Sequence, residues 1–433
     1  MSARHQLTRN VLYSWSGYLA RLLITFFFIP YITSVLGDER YGVWVICFQI
    51  ISYLSLLDFG IERSLARFIP RYLGRKDYAG VGRVLNTSTV IYLPIGVLVT
   101  ALAFLLADPI MGRFSIAVPA LRLEGIDALK VIGLYLGLRF ALTPFGGSLG
   151  SFQRYDLSNL LQVGEDIVRT LLMVWALSLD AGLVTLGWII VFTTLVRLLV
   201  GRLLLSNLYP ELTFSMRQAD KTVARDLFSY GRVAFGITVA WIVIFNSDGI
   251  LLGLMASTAA AGVFAPATQL LLYLRHIINA VATPLTTAIA QAETEQGPEE
   301  VKRLYLRAYL LATILAMFAC AGVFVFAKDF VALWLAPDFA EAGAVMRILA
   351  VGAVFFIPQI IGNATLFALD KHRTLLGVLI AEAILKIGLA VVLIPRAGLI
   401  GMAWATTLPQ VLMYSFVYPA LVARKVGIRL SET

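Results

Sequence analysis

RYGVWVICFQIISYLSLLDFGIERSLARFIPRYLGRKD, from Arg40 to Asp77, is an apolar run long enough to cross a bilayer as a helix, and it ends in arginines. Its pattern returns at Ala261 as AGVFAPATQLLLYLRHIINAVATP, where Gly42, Val43, Gln49, Tyr53 and Leu54 recur as Gly262, Val263, Gln269, Tyr273 and Leu274. Every one of these pairs is 220 residues apart. The recurrence predicts a duplicated helical bundle.

Further matches extend it. Arg83, Phe104 and Ala107 correspond to Arg303, Phe324 and Ala327, Glu165 and Arg169 to Glu382 and Lys386, and Ala181, Gly182, Leu183 and Trp188 to Ala397, Gly398, Leu399 and Trp404. Apolar coincidences are cheap in such a chain, so the Gln, Tyr, Arg and Glu matches carry the weight.

The solvent of this bundle is lipid. A 433-residue chain that is 59% hydrophobic and 14% charged, with mean hydropathy +0.84, has too little polar surface to cover a water-soluble globule. Apolar runs bounded by charges, Gly and Pro predict twelve spans: 11–36, 41–69, 84–107, 126–152, 158–178, 183–206, 232–255, 259–290, 306–327, 342–369, 374–394 and 398–423. The first run is longer than the apolar part of a signal peptide and is read as a helix. Cys47 and Cys320 both fall inside spans, so no disulfide framework is implied.

Lys and Arg set the orientation. With the N-terminus in the cytoplasm, the inside segments hold 22 of the 35, including Arg4, Arg9, Arg202, Lys221, Arg424 and Arg429, and the outside segments hold six. Both termini are therefore expected to be cytoplasmic. Basic loops beside an anionic leaflet account for much of the net charge of +9, and no nucleic-acid partner is needed. The expected organisation is a six-helix lobe over 1–208, a cytoplasmic linker over 209–231 and a second six-helix lobe over 232–433. An even number of spans per half makes the halves parallel repeats. The fold class is all-α and polytopic, with twelve transmembrane helices around a central cavity.

Charges inside spans are expensive and point to function. Arg21, Arg139, Arg169, Arg197, Arg275, Arg347 and Lys386 lie there, against Glu165, Asp166, Asp248 and Glu382, with Asp58 nearer the cytoplasmic interface. The interior is net positive, and Arg21, Gln49, Arg169, Gln269 and Lys386 fall near mid-membrane. Glu165 with Arg169 and Glu382 with Lys386 are i,i+4 pairs with the acid first, the favourable orientation. They read either as self-neutralised structural pairs or as cations aimed at an anion. Arg21 has no acid at i±3 or i±4, which makes it the better anion-site candidate. Asp248, in FNSDG, reads as an isolated acid able to carry a proton or as a hydrogen-bonded structural group. Asp58 reads as a coupling-ion ligand or, preferably, as the partner of a nearby Arg.

Arg63, Arg67, Arg71 and Arg75 recur every four residues, with Pro70 expected to bend the helix there. The plain reading is an anchor on phospholipid headgroups; the sharper one is a cytoplasmic ladder admitting a phosphorylated lipid. Pro94, Pro144, Pro284 and Pro358 mark further expected bends. No phosphate-cradling loop, metal-ligand spacing or nucleophile elbow is found, and His5, His276 and His372 are scattered. No enzyme, cofactor or metal is implied, and the short outward segments weigh against a polymerase.

The stretches TSVLGDERYGVW (33–44), LSLLDFGIERSLARF (54–68) and GRKD (74–77), with six-plus-six spans, resemble the polysaccharide-transport (Wzx-like) branch of the multidrug/oligosaccharidyl-lipid/polysaccharide (MOP) exporter superfamily. The resemblance implies a flippase in the bacterial inner membrane that carries a polyprenyl-diphosphate-linked oligosaccharide outward by alternating access, for O-antigen or exopolysaccharide. It implies a cationic site for the headgroup, suiting Arg21, Arg169, Arg275 and Lys386 with Gln49 and Gln269. Coupling to a proton or sodium ion, or to membrane potential, would fall to Asp248, Glu165, Glu382 or Asp58, and admission to Arg63, Arg67 and Arg71. Expected partners are the lipid-linked glycan, membrane lipids and a polysaccharide polymerase, with the protein itself a monomer. The alternatives are a cation-coupled multidrug exporter, which the excess of buried cations opposes, and a membrane-embedded polymerase.

Overall fold

The computed structural model describes residues 3–427 apart from 214 and 372, so His372 and Arg429 lie outside the described residues. The chain is a series of helices with no strand among those residues. In order they are α1 (Ala3–Leu54), α2 (Ile61–Leu73), α3 (Tyr78–Met111), α4 (Pro119–Leu142), α5 (Tyr155–Leu177), α6 (Leu183–Leu208) and α7 (Lys221–Asn246). Then come α8 (Asp248–Met255), α9 (Thr258–Glu295), α10 (Pro298–Trp334), α11 (Ala342–Phe356), α12 (Gln359–Ala368), α13 (Arg373–Leu412) and α14 (Tyr418–Val426). Each of the twelve expected spans lies mostly on helix, and those over 41–69, 126–152, 232–255 and 342–369 are broken within their length. Among the described residues six helical stretches are long and apolar enough to cross a membrane, and Phe235–Asn246 of α7 with α8, bent by 47°, makes a seventh if the pair is one span. Two of the six run across two successive expected spans: 374–426 contains both of its pair, and 17–58 covers most of the first and the start of the second of its pair. In these, α1 and α13 turn at Gly37 (φ 70°) and Gly398 (φ 52°), a backbone that glycine adopts without strain. Leu105, Phe318 and Leu333 are 74%, 82% and 89% exposed, as expected where the surrounding medium is hydrocarbon.

The chain divides into two compact units. The first comprises Met1–Val35 and Cys47–Thr238. Here α3 and α4 meet at small residues: a Cβ on Gly96 would lie 2.4 Å from the Gly137 carbonyl oxygen, and one on Gly133 2.1 Å from Ala103 Cβ. Lipid supplies no hydrophobic drive between helices, so such close approach is what holds the pair. On α2, Ile61, Leu65 and Ile69 are fully buried while Arg63, Arg67 and Arg71 are exposed, giving a clean amphipathic helix.

The second unit comprises Leu36–Ile46 and Val239–Thr433. Phe264, Phe339 and Met346 are fully buried within it, and Tyr41 sets its ring edge-on to Phe339 at 6.2 Å between centroids.

Several expected breaks move. The helix read as continuous over 41–69 is interrupted by a 3₁₀ turn over Ser55–Asp58 and by Phe59 (φ 50°) and Gly60 (φ 78°), both left-handed. Pro70 lies within α2, three residues before its end, and does not set this break. Pro144 sits in a π-type turn, Thr143–Gly147, and Pro358 at the junction of α11 and α12, as expected. By contrast α3 runs on through Pro94, and α9 runs unbroken past residue 284.

Candidate functional site

Within the first unit, α5 and α6 build a charged cluster from residues spaced along single helix faces. Glu165, Asp166 and Arg169 on α5 stand at i, i+1 and i+4, and Thr193, Thr194 and Arg197 occupy the matching turn of α6. Arg169 pairs with Glu165 and, at 3.4 Å, with Asp166, and its Nε and Nη2 donate to the Thr193 and Thr194 hydroxyls at 3.3 Å. Thr194 donates to Glu165 at 2.7 Å, and Arg197 Nε lies 2.5 Å from the other Glu165 oxygen. The expected Glu165–Arg169 pair is thus present, but Glu165 serves two arginines. Its side chain is only 5% exposed, so the second cation answers a real desolvation cost.

Arg21 completes the cluster from α1. Gly17, one turn earlier, lets α1 close on α5: a Cβ there would lie 3.3 Å from Asn159 Cβ. Arg21 Nε reaches back to the Gly17 carbonyl at 3.4 Å, and the guanidinium lies in electrostatic range of Asp166. Among the described residues Arg21 forms no ion pair within contact distance, and Asn159 Nδ2 is buried without a hydrogen-bond partner. Three guanidiniums (Arg21, Arg169, Arg197) face two carboxylates (Glu165, Asp166), a net charge of 3 − 2 = +1. A surplus cation and an unmet donor in a low-dielectric setting are what an anionic group would satisfy.

A second feature of the same unit is a cavity of about 430 Å³ beneath the break between α1 and α2. Asp58 holds that break: it accepts from the Gly60 and Glu62 backbone N–H groups at 3.0 and 3.2 Å and from the Tyr92 hydroxyl. The expectation that Asp58 pairs with an Arg is therefore corrected. The left-handed turn aims the Gly60 N–H, just ahead of α2, and the Glu62 N–H, in its first turn, at the carboxylate, which acts as a cap. Glu62 and Arg139 face each other at 3.7 Å, and Arg63 also lines the cavity. Sequence reasoning missed Glu62 and Tyr92 here and treated Arg139 only as one more buried cation. The Asp-Phe-Gly signature, a capping acid before a glycine, was the available signal.

In the second unit two expectations are overturned. Lys386 does not pair with Glu382; it pairs with Asp248 and donates to the Ile244 carbonyl, and the ammonium is 1% exposed. Asp248 is accordingly not an isolated acid. The bend between α7 and α8 brings Asp248 across to α13, and Glu382 instead accepts from the Tyr414 hydroxyl at 2.5 Å. One Glu382 oxygen is buried with no hydrogen-bond partner among the described residues. Arg275 lies over the rings of Phe245, Trp241 and Phe356 at 4.4, 4.8 and 5.9 Å. It shares a small cavity of about 70 Å³ with Asp248, Thr268 and Gln410. Gln49 and Gln269 are each half-buried, on α1 and α9.

Over residues 7–289 the sequence matches the family described as polysaccharide biosynthesis protein. The uncharacterized membrane protein EpsK of Bacillus subtilis (strain 168) is 22% identical, covering 98% of this chain and 84% of its own length. A Shigella flexneri protein named "Putative O-antigen transporter" is 19% identical over 91% of this chain and 93% of its own. A solved inward-facing multidrug resistance MATE family transporter of the MOP superfamily superposes with a TM-score of 0.77 at 16% identity, covering 96% of both chains. That likeness establishes the fold.

Proposed function

The chain belongs to the polysaccharide biosynthesis protein family, and on that premise we propose that it is a flippase for polyprenyl-diphosphate-linked oligosaccharide. It is an integral membrane protein with a MOP-type transporter fold, a transporter linked to polysaccharide. Cargo and cycle are the proposal: the diphosphate engages the cluster of Arg21, Arg169 and Arg197, and the glycan crosses by alternating access from the cytoplasmic leaflet outward. The observation that carries this is Arg21, a half-buried guanidinium that forms no contact-distance ion pair among the described residues, beside two arginines that share theirs. Phosphate oxygens match the guanidinium fork and supply the missing anion.

Lys386 takes no part in holding cargo, because it is sealed against Asp248. Coupling falls to Glu382, whose second oxygen is open to a proton or sodium ion, while Glu165 and Asp248 are committed to cations. Arg63 and Arg71 form the exposed ladder on α2 that meets the headgroup first.

Deletion of the gene in its host tests the reading. Loss of surface polysaccharide with build-up of the lipid-linked precursor, reversed by the wild-type chain and not by Arg21→Gln at equal abundance, is the expected result. Drug sensitivity with unchanged polysaccharide would replace it with the multidrug alternative.

A further inference from the structure

The 430 Å³ cavity beside α2 has a chemistry different from that of the arginine cluster. Its charged lining is Asp58, Glu62, Arg63 and Arg139, two acids against two bases, so it holds no net attraction for a diphosphate. Asp58 is consumed by the turn, but Glu62 and Arg139 stand 3.7 Å apart, too far for a hydrogen bond of ordinary strength. Both keep acceptor and donor capacity for a third party. Arg63 is exposed and has no ion-pair partner among the described residues.

The apolar part of the lining is aromatic. Tyr92 stacks on Phe140 at 5.5 Å with 15° between ring planes, and Phe59 leans on Phe235 at 5.6 Å. Phe59 is the singular residue. It is 37% exposed, and its backbone is left-handed at φ 50°, a conformation a bulky side chain pays to adopt. Glycine would fit that turn without strain. The strained backbone presents an aromatic face to the cavity.

Flat aromatic rings beside a carboxylate and a guanidinium with spare hydrogen bonds suit a pyranose: apolar C–H faces pack on the rings and hydroxyls bridge the charged pair. A volume near 430 Å³ falls within the range of small-ligand sites. We infer that this cavity is a sugar subsite, in which Phe59 stacks against, and Glu62 and Arg139 hydrogen-bond, a sugar residue of the cargo glycan. The inference rests on the flippase reading, and it separates recognition of the sugar from capture of the diphosphate.

The test is binding by the full chain in lipid nanodiscs. Two probes are used: polyprenyl-diphosphate-linked glycans extracted from the host, and polyprenyl diphosphate freed of sugar. Wild type should prefer the glycan-bearing probe. Glu62→Gln and Phe59→Gly should each bind it about tenfold more weakly, the worth of one ordinary contact, with affinity for the bare probe unchanged in Phe59→Gly and not reduced in Glu62→Gln, which removes a negative charge. Phe59→Gly accepts the left-handed turn, so its loss would report the missing ring rather than a collapsed backbone, and Phe59→Tyr should restore binding. If both variants keep the wild-type preference, or if they weaken both probes alike, the sugar subsite is refuted while the flippase reading stands. If wild type binds neither probe, the flippase reading fails and takes the subsite with it.

Discussion

Gly42 and Gly262, equivalent positions of the internal repeat, pack against each other within the second unit. A Cβ on Gly42 would lie 1.8 Å from the Thr258 carbonyl oxygen and 3.1 Å from Gly262 N, and one on Gly262 would lie 2.0 Å from the Asp38 carbonyl oxygen. The neighbours are backbone, so no rotamer change relieves the clash. Gly42→Ala and Gly262→Ala should each cost about 1–3 kcal/mol or more, the usual price of overpacking. Gly388→Ala, on α13 with nothing within 4 Å of the added carbon, should be neutral or stabilising by up to about 1 kcal/mol through helix propensity. Apparent melting temperatures of the three proteins in detergent check the ordering; equal values would mean that the glycine contact is not made.

Asp248 and Lys386 form an ion pair with both side chains under a tenth exposed. Removing one partner strands a buried charge, so Asp248→Asn or Lys386→Met should each destabilise by about 3–5 kcal/mol. The double variant should be more stable than either single one. A double-mutant cycle on thermal or denaturant unfolding gives the coupling, and strict additivity would show that the two charges do not meet.

Asp58 caps α2 while it holds Tyr92. Asp58→Ala should cost about 0.5–2 kcal/mol, the range for a lost helix cap. The loss should be local. Hydrogen exchange at the Gly60 and Glu62 amides should quicken in Asp58→Ala and stay near the wild-type rate in Tyr92→Phe, which leaves the cap bonds in place. Unchanged exchange in Asp58→Ala would contradict the capping role.

Much of this was legible in the sequence because lipid imposes simple rules. Apolar runs must be helices, and the 220-residue recurrence of Gly42 at Gly262 marked a duplication whose two glycines turn out to touch. The Glu165–Arg169 pair was legible because both partners lie on one helix face. Lys386 was misread for the same reason: spacing offered Glu382, but a long flexible ammonium took Asp248, an acid 138 residues away in the chain (386 − 248), which only the α7–α8 bend makes available. The break at Phe59 was hidden because apolar periodicity continues through it. The Asp-Phe-Gly signature hinted at a turn, and the left-handed backbone of Phe59 and Gly60 shows where it falls and the cavity beside it.

In the proposed transport cycle a surplus guanidinium at Arg21 receives the diphosphate of a lipid-linked glycan. Its most direct test is translocation of host-extracted lipid-linked oligosaccharide in proteoliposomes, comparing wild type with Arg21→Gln and Arg21→Lys at matched protein. Loss of a charge-assisted contact worth about 1.5–3 kcal/mol should slow Arg21→Gln roughly ten- to a hundredfold, with Arg21→Lys in between. Wild-type rates in Arg21→Gln would contradict the account.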